Sequence, residues 1–206
     1  MNERLVLASA SPRRAELLRA AGIEFEVRPP NVDESQLAGE DPDAYVRRLA
    51  EAKANAVAEL TGDRTVLAAD TVVVVDGEIL VKPLDAADAR RMLRLLSGRR
   101  HDVVSAICVH DGRPRDPADS TPQRDTRVVV TTVEFKALTA DEIDWYVATG
   151  EPMDKAGGYA IQGLASRFAT RVEGSYPNVV GLPVAEVYDI LCQRGWRLTE
   201  VFHADF

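Results

Sequence analysis

The residues best suited to chemistry lie in two short segments that each adjoin an apolar run. The first, residues 9–14, contains two hydroxyl groups and two guanidinium groups, those of Ser9, Ser11, Arg13 and Arg14. Ser11 followed by proline is typical of a helix N-terminus, where free N–H groups and partial positive charge favour phosphate oxygens. Two arginines on the first turn oppose the helix dipole, and an anionic ligand would offset them. A capped surface helix with solvated arginines is the alternative.

The second segment is Asp70-Thr71, which follows the apolar residues 66–69. We expect Asp70 to stand at the end of a buried strand, where a carboxylate needs a cationic partner or a metal. A haloacid-dehalogenase nucleophile does not match, because that motif has a second aspartate where this chain has Val72. The two segments together indicate an enzyme that acts on a phosphorylated small molecule.

Two charged residues could complete such a site. Lys82 follows a predicted hairpin at Asp76-Gly77 and reaches the same end of the sheet as Asp70. Regular alternation would point the two side chains to opposite faces, so a bulge or a strand end is needed there. Glu34, in a loop after two prolines, could join Asp70 as an oxygen ligand of Mg²⁺ or Mn²⁺. A solvated lysine and a solvated glutamate are the alternatives.

The densest polar stretch is residues 151–163, Glu-Pro-Met-Asp-Lys-Ala-Gly-Gly-Tyr-Ala-Ile-Gln-Gly. Its glycines permit close approach of the backbone to a ligand. Lys155 could meet a phosphate, and Gln162 could read the edge of a base with one donor and one acceptor. An ordinary glycine-rich connection is the alternative interpretation.

Composition narrows the class of protein. The chain has 206 residues, 46% hydrophobic and 28% charged, which is enough to bury a core. Its net charge of -8 argues against binding a nucleic-acid polymer or an anionic membrane. No apolar run approaches the roughly 20 residues of a membrane span, and no leader is evident, so the expected location is cytoplasmic. Cys108 and Cys192 are expected to be reduced core residues, and the three histidines lack ligand spacing.

Strands and helices alternate along the chain. The patterns predict helices that begin near Pro12, Pro42, Asp85, Thr139 and Pro183. Lys53 falls on the apolar stripe of the second of these helices. Strands are predicted over 5–8, 25–28, 66–75, 78–82, 103–109, 127–135 and 168–172, with an exposed loop over 111–124. Two of the strand pairs are antiparallel, which indicates a mixed sheet covered by helices.

Six segments in order resemble the Maf family of nucleoside triphosphate pyrophosphatases. They are residues 7–14, 69–72, 82–83, 96–98, 151–163 and 174–183. The resemblance covers the whole chain, and only the 111–124 loop is longer than usual. It implies a single domain over 1–206, with two lobes and a cleft between them. The implied fold is α/β (α+β), a mixed, twisted sheet flanked by helices, similar to that of inosine triphosphate pyrophosphatases.

The resemblance also implies a cytoplasmic house-cleaning hydrolase that converts a nucleoside triphosphate to the monophosphate and pyrophosphate with a divalent metal, Mg²⁺ or Mn²⁺. Asp70 matches the general base, and Glu34 and Asp70 are the expected metal ligands. The other positions that match catalytic or phosphate- and metal-contacting residues of the family are Arg13, Glu34 and Lys82. The expected substrate-binding residues are Ser9, Ser11, Arg13, Arg14, Thr71, Lys155 and Gln162. Those linked to substrate choice are Arg13, Thr71 and Gln162.

The 151–163 segment is similar to the dTTP/UTP branch of the family. The 7-methyl-GTP branch has Cys before Ala-Gly and Glu at the position of Gln162, whereas this chain has Lys155 and Gln162. Pyrimidine triphosphates, modified ones included, are therefore the favoured substrates. Two alternatives stay open: a nucleotide-binding regulator of septum formation and cell division, and a pyrophosphatase for 7-methyl-GTP or inosine triphosphate. A homodimer is expected only from the family.

Overall fold

Seven strands form one sheet in the computed structural model, which describes residues 5–112 and 123–198. They are β1 Leu5–Ala8, β2 Phe25–Val27, β3 Val66–Val75, β4 Glu78–Leu80, β5 Arg100–His110, β6 Arg124–Phe135 and β7 Ala169–Glu173. The order is β2-β1-β3-β5-β6-β7, and β4 pairs with β3. Strands β2, β1 and β3 are parallel, and the remaining pairs are antiparallel. The predicted mixed sheet is confirmed.

Six α-helices occur within the same described ranges. They are α1 Pro12–Ala20, α2 Pro42–Thr61, α3 Ala86–Leu96, α4 Ala140–Ala148, α5 Tyr176–Val180 and α6 Val184–Gln193. The helix start predicted near Thr139 is confirmed, and Thr139 and Glu142 form a capping box there. Ser11 holds the N-cap position of α1, but its side chain makes no capping bond. Its N–H instead bonds the Ser9 hydroxyl at 3.1 Å.

Helices cover both faces of β3. Because successive side chains of a strand point to opposite faces, alternate residues of β3 pack against different helices. Val66, Ala68 and Val72 pack against α2 on one face. On the other face, Leu67 and Ala69 pack with residues of α1 and α6. Farther along that second face, β3 packs instead against α3 and α4. The sheet therefore changes its covering helices close to Asp70 and Thr71.

The expectation that Asp70 ends a strand is wrong. Strand β3 runs unbroken through Asp70 for 10 residues. Strand β1 pairs with β3 only as far as Ala68, and β4 pairs with it only from Val73. Between these points, residues 69–72 pair with β5 alone among the described residues. A gap in the neighbouring strands, rather than a strand end, is what opens this part of β3.

The predicted conflict between Lys82 and Asp70 is removed by the length of β4. This strand ends at Leu80, two residues before Lys82, so strict alternation does not extend to the lysine. The 78–82 prediction was therefore too long. The Asp76-Gly77 hairpin is confirmed, with φ of 53° and 80° at its two residues.

Several other expectations are settled by the structure. The glycine-rich segment 151–163 contains two 3-10 turns, Glu151–Asp154 and Ala156–Gly158, and a third, Leu164–Arg167, follows it. Cys108 is buried, but Cys192 is exposed, so the core assignment of Cys192 is wrong. Most of the 111–124 loop, and His203, lie outside the described residues. No helix in the described ranges is long and apolar enough to cross a membrane.

Candidate active site

A cavity of about 470 Å³ lies along the open part of β3. Residues 70–73 of this strand line it, together with the start of α1, the 154–162 segment and the end of α5. All ten site residues expected from the sequence line this one cavity: Ser9, Ser11, Arg13, Arg14, Glu34, Asp70, Thr71, Lys82, Lys155 and Gln162. The fold therefore brings together residues that are spread over more than 150 positions of the chain.

Arg14 is a cation whose hydrogen bonds all go to neutral oxygens. It donates to the Gly181 carbonyl at 2.8 Å and to the hydroxyls of Ser9 and Thr71 at 3.2 Å each. Burial lowers the pKa of Arg14, although the charge of Asp70 acts in the opposite direction. A guanidinium that has no carboxylate among these hydrogen-bond acceptors can bind an anionic ligand without first breaking an ion pair.

Arg13 lies on the same first turn of α1 as Arg14 but binds a different partner. Its guanidinium bonds the Asp154 carboxylate at 2.8 Å and the Asp154 carbonyl at 3.2 Å. Burial would raise the pKa of Asp154, but hydrogen bonds from Lys155 and Arg13 lower it to about 2. A phosphate in the cavity would compete with Asp154 for these two cations.

Asp70 and Glu34 share one ammonium group, that of Lys53 on α2. The Lys53 Nζ lies 2.6 Å from Asp70 Oδ1 and 2.7 Å from Glu34 Oε1. The side chains of Lys53 and Asp70 are only 7% and 10% exposed. Sequence reasoning treated Lys53 as one position of a helical stripe and missed its role. The available signal was a lysine in register with apolar residues, which needs a buried anion.

The two carboxyl groups differ in their proton affinity. Burial raises the pKa of Asp70, although the charges of Lys53 and Arg14 oppose this shift. Partial burial acts in the same direction on Glu34, but the hydrogen bond from Lys53 and the charges of Lys53 and Lys82 lower its pKa. A carboxylate with a raised pKa is the better proton acceptor of the two.

The same two carboxylates could hold a divalent cation. They already converge on one positive charge, the Lys53 ammonium. No group of three or more His, Cys, Asp or Glu side chains is arranged as a metal site within residues 5–112 and 123–198. A pair of carboxylates is nevertheless the usual protein share for Mg²⁺, since water and substrate phosphates complete its shell. The donor set therefore fits such an ion.

The part of the cavity wall formed by the 154–162 segment carries Lys155 and Gln162. Lys155 Nζ donates to the Glu151 carbonyl at 2.7 Å and pairs with the Asp154 carboxylate. Gln162 is exposed, which leaves its amide available to a ligand. Tyr159 and Val179 line the cavity between the polar groups. The site thus combines an anion-binding region, a carboxylate pair and a partly apolar wall with one amide.

A mixed sheet with cations and paired carboxylates around one cavity defines an α/β protein whose site carries the charges that a polyphosphate and a divalent cation require. The model of the family described as "Maf-like protein" matches residues 4–194. The chain belongs to this family, as its sequence motifs led us to expect.

Two similar proteins carry the same name. The "dTTP/UTP pyrophosphatase" of Anaeromyxobacter dehalogenans (strain 2CP-1) is 54% identical over 198 residues, covering 96% of this chain and 97% of that protein. The protein of that name from Geobacter sp. (strain M21) is 54% identical over 190 residues, covering 92% and 95%. Among solved structures, the Staphylococcus aureus Ham1 protein matches with a TM-score of 0.47 and 16% identity, over 93% of this chain and 99% of that one.

Proposed function

We propose that this protein is a nucleoside triphosphate pyrophosphatase that hydrolyses dTTP and UTP, modified pyrimidines included, to the monophosphate and pyrophosphate. The observation that carries the proposal is the convergence of all ten expected site residues on one cavity. The 54% identity to a dTTP/UTP pyrophosphatase over almost the whole chain supports the choice of substrate. Such an activity would remove unwanted nucleotides from the cellular pool.

The reaction requires a water to attack the α-phosphorus while the bond to the bridging oxygen of pyrophosphate breaks. Asp70 accepts the proton of this water, for which its raised pKa is suited. Lys53 holds the Asp70 carboxylate in place at 2.6 Å. Glu34 and Asp70 would hold Mg²⁺ or Mn²⁺, which supplies positive charge next to the phosphate and lowers the pKa of water when bound.

The triphosphate is bound by the cations around the cavity. Arg14 offers a guanidinium with no anionic partner among its hydrogen bonds, and Arg13 and Lys155 exchange Asp154 for phosphate oxygens. Lys82 adds a further positive charge to the lining of the cavity. Fixed charges and hydroxyls of this kind, including Ser9 and Ser11, stabilise the charge that develops on the leaving pyrophosphate.

Substrate choice is assigned to Arg13, Thr71 and Gln162. Thr71 is bonded to Arg14 and, at 2.9 Å, to the buried Ser105 hydroxyl, so its position is fixed. Gln162 offers one donor and one acceptor, which is the pattern needed for the edge of a pyrimidine.

We further propose that the protein is a cytoplasmic, single-domain enzyme whose active site lies between two lobes. We also propose that it forms a homodimer.

The test is pyrophosphate release by purified protein from dTTP, UTP, CTP, dATP, GTP, ITP and 7-methyl-GTP, with Mg²⁺, Mn²⁺ or EDTA. We expect dTTP and UTP to be preferred, with no turnover in EDTA. Asp70→Asn should lower kcat by at least about 10²-fold, since general-base catalysis contributes that much. Asp144→Asn is the matched control, because Asp144 pairs with Arg90 on an exposed surface.

Other outcomes would change the proposal in distinct ways. Wild-type turnover by a folded Asp70→Asn variant would exclude Asp70 as the base. Preference for GTP, ITP or 7-methyl-GTP would keep the reaction and overturn the substrate. Nucleotide binding without pyrophosphate release would replace the enzyme with a nucleotide-binding regulator.

A further inference from the structure

Glu151, which is half-buried, and Tyr146 form a hydrogen-bonded pair behind the segment that lines the cavity. Tyr146, on α4, is fully buried, and its hydroxyl donates to Glu151 Oε1 at 2.8 Å. The same hydroxyl accepts the N–H of Ala160 at 3.0 Å. The Glu151 carboxylate accepts the N–H of Leu164 at 3.0 and 3.2 Å. Neither Glu151 nor Tyr146 lines the cavity.

The two amides held by this pair bracket Gln162. Ala160 lies two residues before it, and Leu164 lies two residues after it. The backbone on both sides of Gln162 is therefore tied to one pair of side chains. Gly163 makes the close approach possible, because a Cβ at this position would lie 2.5 Å from Glu151 Oε2.

Glu151 also holds the other polar residue of this wall. Its backbone carbonyl accepts from Lys155 Nζ at 2.7 Å. One residue thus anchors the cation assigned to phosphate and, through Leu164, the amide assigned to the base. Burial, with the nearby Glu151 carboxylate, raises the pKa of Tyr146, so its hydroxyl stays protonated and able to donate.

Discrimination between pyrimidines depends on how freely Gln162 can move. Uracil and thymine present an acceptor at the position where cytosine presents a donor. A glutamine amide has both kinds of group and can turn over to suit either base. The backbone position fixes which part of the base the Gln162 side chain can reach, and a site built for one hydrogen-bonding pattern rejects a base that leaves its polar groups unpaired.

We propose that the Tyr146–Glu151 pair is a positioning device that sets the preference for uracil and thymine over cytosine by fixing the backbone around Gln162. This inference rests on the proposed function, because it assigns Gln162 to the base. Glu151 and Tyr146 act through the segment that they hold and touch no reacting atom. Their loss should therefore alter the choice of base more than the rate of the chemical step.

The experiment compares kcat and KM for UTP and CTP in wild type, Glu151→Gln and Tyr146→Phe. The ratio of kcat/KM for UTP to that for CTP should fall about 10-fold in both variants, since misplacement of about 1 Å costs up to 10²-fold. The fall should come mainly from a higher KM for UTP, with kcat changed less than 3-fold. Gly163→Ala should act in the same direction, because its Cβ displaces the Glu151 carboxylate.

Glu142→Gln is the matched control for the charge change. Glu142 belongs to the capping box at the start of α4, the helix that carries Tyr146, and makes no bond to the 155–163 segment. The Glu142→Gln substitution should lower the melting temperature slightly and leave the ratio of kcat/KM for UTP to that for CTP unchanged. Tyr146→Phe removes a single hydroxyl, so it provides a folded variant if Glu151→Gln does not fold.

The outcomes separate this inference from the proposed function. An unchanged ratio in a folded Glu151→Gln or Tyr146→Phe variant overturns the positioning role while the wild-type reaction stands. If the wild type releases no pyrophosphate, the proposed function fails. Equilibrium affinities for UTP and CTP then test the positioning in the same variants, and an unchanged affinity ratio overturns it.

Discussion

Lys53 sets the charge balance of the site at the scale of single residues. Asp70 and Glu34 would repel each other in the cavity without the ammonium that lies between them. Breaking a buried ion pair by removing one partner is costly, because the remaining charge is left without compensation. The lysine therefore contributes to stability as well as to the geometry of the carboxylates.

The energetic coupling of Lys53 and Asp70 can be measured with a double-mutant cycle. Lys53→Met should lower the free energy of unfolding by about 3 kcal/mol, as measured by urea denaturation. The same change in an Asp70→Asn background should cost less by at least about 1 kcal/mol, because the isolated buried charge is absent. Equal costs in both backgrounds would contradict the coupling.

Arg48→Met is the matched control for this cycle. Arg48 lies on the same helix and pairs with Glu40 at 2.6 Å, and neither of these two residues lines the cavity. Its loss should cost about 1 kcal/mol. The cost should be the same with Asp70 or Asn at position 70, since the two sites do not touch.

At the scale of elements, the cavity wall depends on the 151–163 segment, whose Ala156–Gly158 turn packs against β3 and β4. Gly157 lies at the centre of this segment, with φ of 68°. Its N–H donates to the Val81 carbonyl at 3.2 Å, and a Cβ there would lie 2.7 Å from Val73 Cγ2. The left-handed conformation and the close packing both require glycine. The segment is thereby fixed to the loop after β4 and to β3.

Gly157→Ala should lower the free energy of unfolding by about 3 kcal/mol, because backbone strain and overpacking add. Gly150→Ala is the matched control, since Gly150 has φ of 76° and open space around its Cβ. It should cost only about 1 kcal/mol. Thermal and urea unfolding of both variants measure the difference. Similar costs would show that the contact with Val73 adds nothing.

For the whole molecule, one sheet carries the cavity at the gap left by β1 and β4, and helices cover its two faces. The chain has a net charge of -8, yet five positively charged side chains line this cavity. They are Arg13, Arg14, Lys53, Lys82 and Lys155. The fold thus concentrates positive charge at one place on an acidic protein. This arrangement attracts an anionic substrate without making the surface generally basic.

The free energy of unfolding of the whole molecule should decrease at acid pH because of the buried His101. This residue is 3% exposed, its Nε2 lies 2.9 Å from the Tyr159 hydroxyl, and burial lowers its pKa to about 4. The unfolded chain binds a proton near pH 6.5, whereas the folded chain does not, so stability from this residue is present above pH 6.5 and decreases as the pH falls towards 4. The expected loss is about 3 kcal/mol.

His101→Gln tests this dependence. Urea unfolding at pH 7, 5.5 and 4.5 should show a steeper loss of stability in the wild type than in the variant. Burial also lowers the pKa of His110, but His110 is present in both proteins, so its contribution cancels. Parallel pH profiles would contradict the assignment.

The sequence by itself determined the local features and the inventory of the site. The caps of Asp41 and Thr139 and the Asp76-Gly77 hairpin were predictable, because each depends on residues within four positions of one another. The mixed sheet followed from hairpin signals and alternation. The family motifs supplied the ten residues that the structure places around one cavity.

Only the tertiary structure decided how these residues are arranged. The gap beside Asp70, the shared ammonium of Lys53 and the Tyr146–Glu151 pair depend on which strands end where and on contacts across elements. Local propensity carries no information about such contacts, because a stripe position on a helix looks the same whether it meets leucine or a buried carboxylate. Burying a charged side chain costs free energy unless an opposite charge lies beside it, and only the folded structure brings that partner into contact.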